Sequence, residues 1–327
     1  MHTSSPRNAL AVPTRSLQLE DETLKEIVSA GDPLLLQEGW ANCPAVGLWD
    51  FQLLNERAGD QSVEVEYYPN GRRDRACTFL NMRLGEYLDR LTQDPPSRKL
   101  LYLAEYPIER VVPTLLDQFR RPTALEKPTS IRELLFVGYD SITTAHYHRG
   151  RTQAILGQIS GEKTVVLFPP KDLCHLEMNP WYSLRPNHSK LPWGEKDYAE
   201  VLSESPRAKA TTPLLCTVRP GELLFIPDHW VHYVVSEGPS VSVTWFWESE
   251  LGTGYGPGIR RDKWSACAKT CMQVAARVAS TFGLQRQLVQ VAARLGIFLP
   301  DEQSQVQDYL DRFGATLPSK QHTHRSH

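Results

Sequence analysis

No uninterrupted apolar stretch of the 327-residue chain is long enough to cross a bilayer, no CxxC pair occurs, and neither sign of charge dominates. The first absence excludes a helical membrane span. The balance of 36 Lys+Arg against 38 Asp+Glu gives net −2 and supplies no global field for phosphate backbones or anionic membranes. Nucleic acid is therefore disfavoured as a partner and would need a local basic patch. The six cysteines (Cys43, Cys77, Cys174, Cys216, Cys267 and Cys271) are scattered, and the polar Met-His-Thr-Ser-Ser-Pro start lacks the apolar core of a secretory signal. Both features point to a reducing, cytoplasmic setting in which the Asn-His-Ser sequon at Asn187 stays unmodified. With 41% hydrophobic residues the chain is not wholly disordered.

The apolar pattern changes character along the chain. Residues 1–20 read as a flexible arm and 21–131 as an α+β segment that packs on a barrel formed by residues 132–250. In this segment Leu24, Ile27 and Val28 mark a short helix, and Pro33-Leu-Leu-Leu-Gln a buried strand. Trp49, Phe51 and Leu54 mark a second helical face, Val63–Tyr67 alternates as a half-buried strand, and Met82–Leu91 is helical. Leu100–Ala104 is strand-like, and Val111–Phe119 forms a further helix. From 132 to 250 short apolar strands succeed one another without helices between them: Glu133–Tyr139, Thr143–His148, Ala154–Ile159, Thr164–Phe168, Leu214–Val218, Glu222–Ile226, His232–Ser236 and Val241–Trp247. That pattern is mainly β with α additions, an antiparallel barrel or jelly roll. The insertion Pro169–Pro213 reads as an irregular lid or wall over one barrel mouth. Residues 251–315 become helical after the connector Gly252–Gly258, with a stripe through Trp264, Cys267, Cys271, Val274, Val278 and Phe282 that suits packing or a homodimer. Residues 316–327, with His322, His324 and His327, form a disordered tail.

The chemistry concentrates in two blocks. In Thr143-Thr-Ala-His146-Tyr-His148 the two histidines share one face of a strand and present two imidazoles to one metal. Alone, HxH is a weak motif. In Pro220-Gly-Glu-Leu-Leu-Phe-Ile-Pro-Asp-His-Trp230-Val-His232 a turn, a strand and a Pro-led bend return His232 toward that pair. His229 competes with it from the same loop and reads as a rim residue. Three ligands on one face of an octahedron leave positions for water, dioxygen and an organic co-substrate.

The run from "TAHYH" through "GQISGEKTVVLFPP" to "PGELLFIPDHWVHYVV" resembles three ordered blocks of the JmjC/cupin-like family of iron(II)- and 2-oxoglutarate-dependent oxygenases, in particular its small hydroxylase branch. The resemblance spans about residues 30 to 250 and implies a double-stranded β-helix (jelly-roll) barrel, with C-terminal helices like that branch's dimerisation segment. It implies Fe(II), 2-oxoglutarate and O2 as cofactor and co-substrates, with a peptide, amino-acid or small-molecule substrate. His146 matches the first metal ligand and His232 the distal histidine. Lys163, Thr143 and Tyr102 match residues that anchor the far carboxylate of 2-oxoglutarate, a dicarboxylate that needs a cation and hydroxyl donors inside a barrel. Trp245 stands where some members carry an Asn near the co-substrate, which implies a tighter, drier pocket.

One departure matters. The family's second ligand is normally Asp or Glu, and here it is His148, so the implied set is His146, His148 and His232. A neutral imidazole in place of a carboxylate raises the site's charge by one and removes a hard oxygen donor. Two rival readings arise from it: a three-histidine dioxygenase independent of 2-oxoglutarate, and a non-catalytic binding module. An alternative register puts His148 first and Gly150 in the carboxylate position. Arg149 and Arg151 read as surface charges, and Arg72, Arg73 and Arg75 as a small solvated basic loop.

Overall fold

The computed structural model describes residues 9–69, 78–125, 131–181 and 185–249, together with the single helical positions 262, 271, 275, 287 and 291. The basic loop of Arg72, Arg73 and Arg75, the connector 252–258, most of the C-terminal stripe with its dimerisation reading, and the tail lie outside the described residues. The chain divides into two compact units, residues 1–178 with 187–260 and residues 179–186 with 261–327. In the second, Asn179 Nδ2 donates to the Arg185 carbonyl at 3.0 Å. Among the described residues no helix is long and apolar enough to cross a membrane.

The first unit carries the strands β1 (Leu10–Ala11), β2 (Thr14–Arg15), β3 (Leu34–Leu36), β4 (Ser62–Tyr67), β5 (Thr78–Arg83), β6 (Leu101–Pro107), β7 (Arg132–Tyr139), β8 (Ile142–His146), β9 (Thr152–Phe168), β10 (Leu214–Val218), β11 (Leu223–Ile226) and β12 (Val231–Glu248). Its longer helices are α1 (Asp21–Ala30), α2 (Phe51–Ala58) and α3 (Leu84–Gln93). Local chemistry explains α2: Asp50 accepts from the Leu53 N–H at 2.8 Å as N-cap, and Leu54 and Ala58 bury one face.

Four ribbons build the barrel: β7 running into β8, β9, β10 running into β11, and β12. Each bends at a residue of positive φ, namely Asp140 (49°), Gly161 (70°), Gly221 (85°) and Gly238 (74°). On one side of the bends β11, β9, β12 and β7 pair in that order; on the other, β10, β9, β12 and β8 do. One face of each sheet meets in a shared core, where Leu134, Leu156, Leu224 and Phe246 of the first sheet join Val165, Leu167, Val218 and Val234 of the second. Two sheets folded from the same four bent ribbons make a double-stranded β-helix. The bends are tied together, since Gly238 N donates to Asp140 Oδ1 at 2.8 Å and Asp140 N to the Gly238 carbonyl at 3.1 Å. Gly161 has no room for a side chain, because a Cβ there would lie 2.1 Å from the Pro239 carbonyl oxygen.

The first sheet is widened by β3 and β2 at one edge and by β6, β4 and β5 at the other. Its outer face and the helices enclose the larger core, with Trp49, Tyr87 and Trp245 fully buried. Tyr87 crosslinks this core, donating to the Val137 carbonyl at 2.6 Å and accepting from Leu103 N at 3.0 Å.

Several expectations shift in detail. Four of the eight expected strands merge into β9 and β12, because a bend at a positive-φ glycine turns the ribbon without breaking its ladder to the neighbour. Met82 belongs to β5, so the helix starts at Leu84. The helix expected over Val111–Phe119 is a short turn, Ile108–Val111, and a 3-10 segment, Pro113–Gln118, since Pro113 supplies no N–H to continue an α-helix. The described part of the Pro169–Pro213 insertion within the first unit lies on the outer face of the second sheet, where Leu176, Leu191 and Trp193 pack with Phe168 and Tyr233.

Candidate metal centre

β8 and β12 pair so that His146 lies directly opposite His232, and residues opposite one another share a face. β8 ends at His146, so strand alternation does not reach His148. Instead the chain leaves the sheet, Tyr147 packs outward with Phe168 and Trp193, and His148 turns back to the barrel interior. Ring centroids of His146 and His232 are 4.5 Å apart, of His148 and His232 4.7 Å, and of His146 and His148 5.6 Å. One ring nitrogen from each converges, all within 4.8 Å of one another.

The surroundings suit a cation. The Nδ1 atoms of His146 and His232 sit 2.8 and 3.0 Å from the carbonyl oxygens of Thr144 and Trp230, which fixes Nδ1–H tautomers and leaves Nε2 as the basic nitrogen. His148 Nδ1 is buried without a hydrogen-bond partner among the described residues. Burial, then the neighbouring His146, pushes His232 down to about 3, and burial followed by the charges of His232 and His146 holds His148 well below its ordinary value. At neutral pH the two are uncharged imidazoles, the form that binds metal. A divalent cation among the three rings fits this donor set and this buried, orphaned nitrogen.

Thr143 reaches the same interior by an irregularity. In a regular strand residues three apart face opposite ways, yet Thr143 pairs with Val234 of the shared core while His146 pairs with His232. Two residues of β12 span three of β8, and this bulge resets the parity. Lys163, on β9, is buried at 3% exposure, donates from Nζ to Ser242 Oγ at 2.6 Å and lies 5.2 Å from the Phe136 ring centroid. No carboxylate among the described residues pairs with it. Tyr102, on β6, is also buried, and its ring centroid is 6.4 Å from that of Phe136. Lys163 and Tyr102 thus border one aromatic side chain, while the histidines gather closer to the mouth beside Phe246, whose ring is 5.1 Å from His148.

Other residues sit elsewhere than the sequence suggested. Trp245 points out of the barrel, against Trp40 and Phe119, and its indole N–H donates to Glu133 Oε2 at 2.6 Å. Strand alternation instead turns Ser242, Thr244 and Phe246 inward, a parity legible once the interior face is known. His229 is no rim residue: it is buried at 3% exposure with φ 60°, its ring 5.2 Å from Tyr147 on the outer side. Gly150 occupies a turn at φ 69° where a Cβ would meet nothing within 4 Å, and it is His146 that joins the cluster. Arg151 is exposed and Arg149 half-buried. His188 carries no sequence motif, yet it bridges to His146 and stacks on its ring at 5.1 Å and 18°.

Comparison with known proteins agrees with this geometry. Residues 20–253 match the family model described as a Cupin-like domain. The chain is 27% identical over 251 residues to the Jumonji C domain-containing protein 5 of Drosophila melanogaster, covering 71% of this chain and 59% of that protein. It is 26% identical over 245 residues to the lysine-specific demethylase JMJ30 of Arabidopsis thaliana, covering 69% and 52% respectively. The human bifunctional peptidase and (3S)-lysyl hydroxylase JMJD7 is 23% identical over 261 residues, covering 71% and 82%. The chain thus spans between half and three fifths of the first two relatives. A jelly roll of four bent ribbons with three histidines in its mouth, matched through residues 20–253, makes this chain a member of the Cupin-like domain family, with Jumonji C proteins among its relatives.

Proposed function

We propose that the protein is an Fe(II)- and 2-oxoglutarate-dependent oxygenase that hydroxylates a peptide, amino-acid or small-molecule substrate. The observation that carries this reading is that one barrel interior holds both a convergent set of imidazoles and a buried lysine amine with no carboxylate partner among the described residues. In this reading His146, His148 and His232 hold the metal. The Lys163 amine, positioned by Ser242, pairs with the distal carboxylate of 2-oxoglutarate, since an ammonium buried at 3% exposure is costly until an anion joins it. Thr143 adds a hydroxyl donor from β8 and Tyr102 a phenol from the Phe136 side. Iron with 2-oxoglutarate supplies dioxygen activation coupled to decarboxylation to succinate and CO2, and the abstraction of hydrogen from substrate. Phe246 and Val234 line the approach and keep it dry, which protects reactive species from water. The named activities of the relatives, lysyl hydroxylation and lysine demethylation, support chemistry on carbon next to a heteroatom or along a side chain.

The test is stoichiometric. Anaerobic protein loaded with Fe(II) is exposed to O2 with 2-oxoglutarate, and succinate is measured in the wild type and in Lys163→Met. Succinate from the wild type alone supports the reading. Fe(II) binding without succinate under any condition, and with Lys163→Met behaving as wild type, favours the second reading, a three-histidine dioxygenase that needs no 2-oxoglutarate. His148 is the residue that keeps that reading in view, because it stands where a carboxylate ligand is usual.

A further inference from the structure

Besides Lys163, Arg132 is a cation near the metal-binding histidines with no ion-pair partner among the described residues. Arg132 is the first residue of β7 and pairs directly with Phe246 of β12, so the two share the interior-facing side of the sheet. Its guanidinium lies 5.3 Å from the Phe246 ring centroid, and the His148 ring lies 5.1 Å from the same ring, edge-on at 83°. The Arg132 side chain is exposed and makes no hydrogen bond or ion pair with any described residue. By contrast, the neighbouring Glu133 is consumed, accepting from both Arg121 and Trp245 on the opposite face. Arg132 thus rests near an aromatic ring with its hydrogen-bonding fork exposed and without a partner among the described residues.

Charge arithmetic adds to this, and it rests on the oxygenase reading above. A divalent ion held by two histidines and a carboxylate, with dianionic 2-oxoglutarate bound and paired to the Lys163 ammonium, sums to 0. With His148 in the carboxylate's place the same assembly carries +1, which favours an anionic group near it. A planar guanidinium resting on a ring is suited to two-point pairing with a carboxylate. The chain's net −2 provides no field for a polyanion such as RNA.

We propose that Arg132 is the recognition point for a carboxylate-bearing substrate, a free amino acid or an acidic peptide, held beside Phe246, the ring that Arg132 shares with His148. The test uses Mn(II)-loaded protein with saturating 2-oxoglutarate, which fills the Lys163 site. Binding of N-acetyl amino acids and of short peptides ending in Asp or Glu is read by saturation-transfer NMR, each compared with its carboxamide counterpart. The expected result is an acid preference of about 10-fold or more for at least one probe. That preference falls below about 2-fold in Arg132→Gln and is partly kept in Arg132→Lys, which has charge without the fork. Free acids or peptide acids showing the preference tells the two substrate sources apart. Equal binding of acids and amides, an acid preference that survives Arg132→Gln, or Arg132-dependent binding seen only with an RNA stem-loop would overturn the proposal. Calorimetric titration of Mn(II) and 2-oxoglutarate into the same samples separates the two readings. Loss of either in the wild type removes the oxygenase reading, whereas both intact without acid selectivity removes only the role of Arg132. Normal Mn(II) affinity in the Arg132→Gln variant also reports that its barrel is folded.

Discussion

The Lys163 amine and the Ser242 hydroxyl meet at 2.6 Å across the barrel, one from β9 and the other from β12, beside a core that includes Val165, Leu167, Val218 and Phe246. A neutral hydroxyl does not offset the burial of an ammonium. Replacing Lys163 by Met is therefore expected to leave the denaturation midpoint of the ligand-free protein unchanged or higher. The same change lowers 2-oxoglutarate affinity by about 10-fold or more. Thermal unfolding with and without 2-oxoglutarate reads both effects, and a variant that is still stabilised by 2-oxoglutarate as strongly as wild type would count against the assignment.

Metal binding separates ligands from bystanders. His146→Ala, His148→Ala and His232→Ala are each expected to lower Fe(II) or Mn(II) affinity by more than about 100-fold, beyond the effect typical of outer contacts, whereas His188→Ala stays within that outer range. His148→Asp restores an anionic donor and is expected to raise Fe(II) affinity above wild type. Calorimetry decides; an Asp variant as weak as the Ala variant would show that His148 does not ligate.

Two glycines of similar backbone conformation differ in their surroundings. Gly161→Ala puts a Cβ 2.1 Å from the Pro239 carbonyl at φ 70°, whereas Gly150→Ala, at φ 69°, meets open space. The first is expected to cost more than about 3 kcal/mol by forcing the β9 bend away from the β12 bend, the second about 1 kcal/mol for the left-handed backbone alone. Urea midpoints of the two variants give the comparison, and equal losses would contradict it.

The histidines also set an acid limit on the metal-free protein. His232 is pushed down to about 3 and His148 well below 6.5, both first by burial, so as pH falls below 6.5 the unfolded chain takes up protons that the folded one refuses. Stability is expected to be full above pH 7 and to fall below 6.5 by up to about 1.4 kcal/mol per pH unit for each group, continuing toward pH 3 for His232. Urea titrations at about pH 7.5, 6 and 5 on chelator-treated protein measure the slope. A double variant, His148→Phe with His232→Phe, flattens it.

The barrel was legible because short alternating strands and Gly/Pro turns carry their own period, and the two histidine blocks because their residue types are rare in such strands. What escaped was parity across irregularities. The β8 bulge between Thr143 and His146 has no signature in Thr-Thr-Ala-His, and the end of β8 before His148 makes the same-face reading of that pair right in result and wrong in reason. Family resemblance alone puts Trp245 near the co-substrate, while alternation along β12 assigns the interior to Ser242, Thr244 and Phe246. His188 lies about forty residues from His146 within an irregular segment, and only tertiary pairing brings them together.

β12 touches β7, β8 and β9 and is the last of the barrel strands in the chain. It supplies His232, the Ser242 partner of Lys163 and the ring on which Arg132 rests. During synthesis, then, the growing chain holds two imidazoles, a lone lysine and an unseated arginine until residue 248 is available. A chain truncated before Val231 lacks His232, Ser242 and Phe246 together, and it also lacks the strand that β8, with His146, pairs with.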